Sequence, residues 1–175
     1  MSQEFSQDFF TLFGLPRRFG IDAAQLDAAW RAAAAQVHPD RYAASPDAEK
    51  RSALMLATRV NEAYQTLKSP LNRARYLLLL SGVDTQEENN TRMPGDFLMA
   101  QMEWRESIDD ARRSVDELET LSGRLRAEVK SMQQALAAAL DAEADLDAAA
   151  VWVRKLRFME KLDQEIGDAI ESLLD

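Results

Sequence analysis

The sequence DAAQLDAAWRAAAAQVHPDRYAASPDAEKRSALMLATRVNEAYQTL, residues 22–67, contains two apolar stripes of helical period separated by a short polar turn. The first stripe has apolar residues at steps of three and four: Leu26, Trp30, Ala33 and Val37. The second has the same spacing: Leu56, Val60, Ala63 and Leu67. Asp22 is placed to cap the first helix, and Pro39 must end it because proline lacks a backbone N–H. The spacing therefore predicts two helices joined by a turn, the second starting near Pro46 and Asp47.

Further helices are predicted on both sides of this pair. A short helix spans about Asp8 to Phe13 and is ended by Gly14 and Pro16, since glycine and proline commonly follow helix ends. Another helix starts at Ser69-Pro70 and runs through a leucine-rich segment to Gly82. The first part of the chain is therefore predicted to hold four helices.

The second part of the chain reads as a separate helical unit. Residues 82–95 contain two glycines, a proline and a polar run, which indicates a linker. Three helices follow, over about Phe97 to Ile108, Ala111 to Leu136 and Leu146 to Leu173, with the first expected to run on into the second. We predict an all-α protein with residues 1–81 and 96–175 as two domains, the latter a three-helix bundle, and expect an L-shaped arrangement of the two.

Composition and charge exclude several classes of function. The chain has no cysteine, so it can form neither a disulfide nor a thiolate metal site. Residues 82–175 carry 11 Lys/Arg against 22 Asp/Glu, a balance that repels a phosphate backbone and argues against nucleic acid as a partner. We find no apolar run long enough to span a membrane and no signal peptide, and we expect a cytoplasmic protein.

The chain has one histidine, in the tripeptide His38-Pro39-Asp40 between the two central helices. An exposed turn at the tip of a helical hairpin is the simplest interpretation of this tripeptide. An enzyme that uses His38 as a general base is an alternative, although no second histidine is available for a metal site. Neither the tripeptide nor its surroundings indicates a bound cofactor or metal.

The residues around the tripeptide resemble a J domain over most of residues 8–81. Trp30-Arg31 precedes His38-Pro39-Asp40-Arg41, and the segment VNEAYQTL at 60–67 is similar to the family's third-helix signature. The resemblance implies an adaptor that binds a DnaK-type chaperone and stimulates its ATP hydrolysis. It implies that His38, Pro39 and Asp40 are the stimulating residues and that Arg31 and Arg41 assist electrostatically. The chain departs from the family at Ala32 to Ala35, where most J domains carry several basic residues.

Four further segments are similar to the HscB family, the J-type co-chaperones of iron-sulfur cluster assembly. They are DFFTLFGLP at 8–16, RARYLL at 73–78, FLM at 97–99 with Glu103, Arg105 and Glu106, and VRKLRF at 153–158. The resemblance implies two partners, a specialised DnaK-type chaperone (HscA) and the cluster scaffold protein (IscU).

The first bundle helix has two apolar faces. A turn of about 100° per residue groups Phe97, Trp104 and Ile108 on one face and Leu98, Met99 and Met102 on another. Glu103 and Glu106 flank the second face. Spacing alone favours a face that completes a wide core or covers the first domain. The family resemblance implies instead that these five residues bind the scaffold protein.

Phe158 is the remaining candidate contact. It lies about 200° around its helix from Leu156, so we predict a position outside the core, where an aromatic ring can anchor a partner. The family resemblance implies that this partner is the scaffold protein. Packing against the first bundle helix or the linker is the alternative. For the whole chain, the main alternative function is a J protein whose second domain binds other or unfolded clients.

Overall fold

A computed structural model describes residues 6–87 and 93–174 and confirms the all-α fold. These residues form seven α-helices: α1 Phe9–Leu12, α2 Ala23–Gln36, α3 Asp47–Lys68, α4 Pro70–Leu80, α5 Gly95–Ala111, α6 Val115–Ala137 and α7 Leu146–Leu174. A 3₁₀ turn, Pro39–Tyr42, follows α2, and a π-helical turn, Ala138–Ala142, follows α6. Among the described helices, none combines the length and apolarity that crossing a bilayer requires.

The chain divides into two compact units, residues 1–77 and 78–175. The division falls four residues before the boundary that we placed after Ser81 on sequence. Of the predicted linker, residues 88–92 lie outside the described part. The start of this segment packs on α7, since the Thr85 carbonyl accepts a hydrogen bond of 3.2 Å from Arg154 Nη1.

The N-terminal unit is built around an α2–α3 hairpin. The Asp22 carboxylate accepts hydrogen bonds from the Ala24 and Gln25 N–H groups at 2.8 and 3.4 Å, which confirms the predicted N-cap. The Tyr64 hydroxyl of α3 donates a hydrogen bond to Asp27 of α2 at 2.7 Å. One turn later in α2, Trp30 Nε1 donates to Asn61, which precedes Tyr64 in α3, at 3.1 Å. The residue numbers of the partners rise along α2 and fall along α3, so the two helices are antiparallel. The turn that connects them lies at one tip of the hairpin.

The N-terminal segment is anchored to α4 by stacked rings. Phe9 and Phe10 lie 4.6 and 5.9 Å from the Tyr76 ring, and the Phe9 N–H donates to the Tyr76 hydroxyl at 2.9 Å. Asp8 caps α1. Burial by itself would raise the pKa of this carboxyl, but hydrogen bonds from Thr11 and Phe10 outweigh burial and lower the pKa below its usual value. The short helix is thus held by capping and by aromatic packing.

The C-terminal unit consists of α5, α6 and α7. The largest fully buried side chains of these three helices are Ile108, Leu118, Leu125, Leu136, Met159, Leu162 and Ile166. The prediction that the first bundle helix runs on into the second is wrong. α5 ends at Ala111, and Ser114 takes an extended conformation and caps α6 by accepting from the Glu117 N–H at 3.3 Å. Ser-x-x-Glu is a common capping sequence at the start of a helix. It starts a new helix here, although the apolar stripe continues from α5 into α6.

The turn between α6 and α7 contains a strained alanine. Ala144 has a φ of 50°, a left-handed conformation that disfavours any residue with a Cβ. We expect Ala144→Gly to raise the free energy of unfolding by about 1 kcal/mol, because glycine adopts this φ without steric cost. Urea denaturation followed by circular dichroism measures the change. The matched control is Ala127→Gly at an exposed position inside α6, which should lower stability by about 1 kcal/mol. Equal losses in both variants would contradict the interpretation.

Candidate functional site

The tripeptide forms an exposed turn at the hairpin tip, as predicted. The side chains of His38 and Asp40 are 60 and 91% exposed. His38 caps the 3₁₀ turn: its Nδ1 accepts from the Asp40 N–H at 3.3 Å, and Pro39 occupies the first position of the turn. An imidazole that accepts at Nδ1 carries its proton on Nε2. The tip therefore presents an N–H donor and a carboxylate side by side, with the intervening backbone fixed by the proline.

The residues after the tripeptide brace the turn against α2. Arg41 donates to the Ala35 carbonyl at 3.5 Å, and the Tyr42 hydroxyl donates to the Gln36 carbonyl at 3.2 Å. Both carbonyls belong to the last turn of α2, where intrahelical donors are lacking. Arg41 thus shares one turn with the tripeptide, whereas Arg31 lies on the exposed surface of α2 itself, outside that turn. The bracing role of Tyr42 is visible only in the structure.

An apolar cavity of about 260 Å³ lies beside the tip, and Pro39 forms part of its wall. His38 is not among the residues that line it. The described residues also contain no group of three or more side chains placed to hold a metal ion. This geometry gives no support to the alternative of an enzyme that uses His38.

α5 carries the two faces that its sequence predicts. Phe97, Trp104 and Ile108 are buried, with at most 6% of their surface exposed. Leu98, Met99 and Met102 are 44, 66 and 73% exposed. The second face therefore does not complete the bundle core. Glu103 and Glu106 are exposed on the same helix and give this apolar face, which we call the α5 face, an acidic margin.

Phe158 is buried, so the prediction that it lies outside the core is wrong. Its ring is 9% exposed and meets the edge of the Phe97 ring, with the centroids 5.7 Å apart. The Arg105 guanidinium covers the ring at 5.5 Å. The angle from Leu156 places Phe158 away from the apolar stripe of α7 that contains Leu156. It fails to predict burial because α7 also packs against α5, and this second contact was the alternative left open.

We expect Phe158→Ala to lower the free energy of unfolding by about 3 kcal/mol, because it removes a ring packed between α5 and α7. Thermal or urea denaturation measures the loss. Phe158→Leu, which keeps most of the apolar volume, should recover most of the stability. A Phe158→Ala chain as stable as the wild type would contradict the burial described above.

An ion-pair network that sequence did not predict holds the end of α5 against α7. Arg112 donates to Asp109 and to Glu165, both at 2.8 Å, and Arg105 lies 3.7 Å from the same Glu165. A hydrogen bond and charge interaction with Asp109 raise the pKa of Arg112. In the sequence, the i,i+3 spacing of Asp109 and Arg112 is the one indication of these ion pairs.

Comparison with known proteins matches both units to family models. A DnaJ domain matches residues 8–76, and the HSCB C-terminal oligomerisation domain matches residues 93–167.

Individual relatives match over almost the whole chain. A co-chaperone protein HscB homolog from Chromobacterium violaceum is 85% identical over the full length of both chains. Another from Azoarcus sp. is 52% identical over 99% of each. Among solved structures, the chaperone HscB from Vibrio cholerae matches with a TM-score of 0.84 and 34% identity, covering 95% of this chain and 99% of that one. The human co-chaperone protein HscB matches with a TM-score of 0.88 and 28% identity, covering 93 and 81%.

An exposed His-Pro-Asp turn on an antiparallel hairpin, a following helical bundle and these full-length similarities agree: the chain belongs to the HscB family of J-domain co-chaperones.

Proposed function

We propose that this chain works in the cytoplasm, where it binds the iron-sulfur cluster scaffold protein, an IscU-type client, and delivers it to an HscA-type DnaK chaperone whose ATP hydrolysis it stimulates. The chain itself contributes no covalent chemistry. In this proposal residues 1–81 form the J domain, 82–95 the linker and 96–175 the client-binding bundle. The observation that carries it is the presence of two exposed surfaces of different chemistry, one on each compact unit.

The hairpin tip is suited to a precise polar contact. His38 and Asp40 are exposed yet oriented by the capped 3₁₀ turn, so little conformational freedom is lost when they dock. Arg41 adds positive charge at the tip and Arg31 adds it further along α2, and charges at the margin of an interface mainly increase the rate of association. We assign these four residues and Pro39 to the chaperone contact.

The α5 face is suited to a folded client. Leu98, Met99 and Met102 form a compact apolar surface on a rigid helix, and methionine adapts its shape to a partner. Glu103 and Glu106 add a charged margin that disfavours partners without matching groups. Phe158, which lies beneath this helix, supports the face through Phe97.

The proposal is tested by measuring the ATP turnover of the chaperone with this chain, with the scaffold protein and with both. We expect the two together to stimulate turnover by more than the sum of their separate effects, because one molecule presents the client to the chaperone it activates. No stimulation by this chain, or the same stimulation whether or not the scaffold is present, would contradict it.

The alternative of unfolded or other clients makes a different prediction in the same assay. A reduced, unfolded polypeptide would then replace the scaffold and compete with it for the α5 face. The limited area of the face, three apolar side chains with an acidic margin, favours one folded partner over many extended ones. Failure of excess unfolded chain to displace the scaffold is the expected result.

A further inference from the structure

The cavity beside the hairpin tip is predominantly apolar. The residues around it come from the end of α2, from the 3₁₀ turn and from α3: Val37, Pro39, Tyr42, Ala43, Ala53 and Leu54. The charged residue among its lining is Lys50, at the margin on α3. A volume of about 260 Å³ is ample for one or two apolar side chains of a partner.

The exposure of Leu54 favours a role for this cavity in binding a partner protein. Its side chain is 62% exposed, although it lies next to the buried Ala53 on α3. The adjacent wall is formed by Pro39, the central residue of the tripeptide. The apolar surface is therefore continuous with the turn that we assign to the chaperone contact.

The low charge of α2 favours an apolar contribution to the chaperone contact. Over Ala23–Gln36 the helix carries one basic residue, Arg31, and one acidic residue, Asp27. Asp27 accepts a hydrogen bond from Tyr64, and the rest of the exposed surface is largely alanine. Such a helix offers few charged groups to a partner. Apolar contact near the tip can supply binding energy that these few charges do not.

We propose that the cavity receives an apolar side chain of the DnaK-type chaperone, with Leu54 as the outer wall of the site. This inference rests on the proposed function, and it adds a hydrophobic anchor to the polar contact of the tripeptide. The anchor governs how tightly the chaperone is held, whereas His38 and Asp40 govern how far its ATPase is stimulated.

The test compares Leu54→Ser with Met55→Ser. The two side chains are adjacent on α3 and equally exposed, at 62%, but Met55 does not line the cavity. ATP turnover by the purified chaperone is measured against increasing concentrations of each full-length variant. Leu54→Ser is expected to raise the half-saturating concentration about tenfold with the same maximal rate, as for the loss of one buried leucine contact. Met55→Ser should match the wild type.

Thermal unfolding of both variants verifies that they fold alike. Equal half-saturating concentrations for the two variants, or a fall in maximal rate for Leu54→Ser, would overturn the inference. The proposed function has its own readout in the same assay, since His38→Gln should lower the maximal rate. If His38→Gln lowers that rate while Leu54→Ser has no effect, the proposed function stands and the anchor fails. If the wild type does not stimulate, both fail.

Discussion

A His38→Gln chain is expected to lose at least about tenfold of the stimulation of chaperone ATP hydrolysis while binding the scaffold protein as tightly as the wild type. Glutamine removes the imidazole ring whose Nδ1 caps the 3₁₀ turn by accepting from the Asp40 N–H. The turn that orients Asp40 is then no longer fixed. Steady-state ATP turnover measures the first effect, and calorimetric titration with the scaffold measures the second.

A pair of aspartate variants provides the matched control for this expectation. Asp40→Asn removes the exposed carboxylate of the tripeptide and should impair stimulation as strongly as His38→Gln. Asp47→Asn removes an exposed carboxylate from the first turn of α3 and should leave stimulation intact. If Asp47→Asn were as defective as Asp40→Asn, the tip would contribute only general charge. The proposal that Asp40 makes a specific polar contact with the chaperone would then be wrong.

The double variant Leu98→Ser/Met102→Ser is expected to weaken scaffold binding by at least about 100-fold, since two large apolar contacts are worth about 3 kcal/mol. Both side chains are exposed, so their replacement leaves the bundle core unchanged. The same variant should stimulate the chaperone normally when the scaffold is absent. Titration calorimetry and ATP turnover provide the two measurements.

Leu173→Ser/Leu174→Ser is the control for the double variant. These leucines lie at the end of α7 and are 42 and 71% exposed, close to the 44 and 73% of Leu98 and Met102. The control removes comparable exposed apolar surface from the same unit and should bind the scaffold normally. Equal weakening by the two double variants would show that the effect is not specific to the α5 face.

Local signals in the sequence predict the helices well. The Asp22 cap is a local interaction, and the turn at Pro39 follows from the missing N–H of proline, so both are decided by neighbouring residues. The two faces of α5 were predicted because helical period alone separates Phe97 from Met99. The end of α5 was mispredicted because the Ser114 cap competes with an uninterrupted apolar stripe, and the cap prevails.

Contacts between helices limited the prediction of the site. The burial of Phe158 depends on where α5 lies along α7, and helical period along α7 alone carries no information on that position. The cavity beside Pro39 is formed by three segments, and Leu54 has no distinctive spacing of its own. The exposed tripeptide could be predicted because its residues are adjacent in the chain. The cap that His38 forms on the 3₁₀ turn is visible only in the structure.

The central claim is that one molecule joins the two contacts, and mixing defective variants tests it most directly. His38→Gln and Leu98→Ser/Met102→Ser are combined in equal amounts, and scaffold-dependent ATP turnover by the chaperone is measured against the wild type. Each variant retains one surface, but neither can bring the client and the stimulating turn to the chaperone together. The account predicts that the mixture shows no more scaffold-dependent turnover than either variant alone. Recovery of wild-type turnover by the mixture would contradict it.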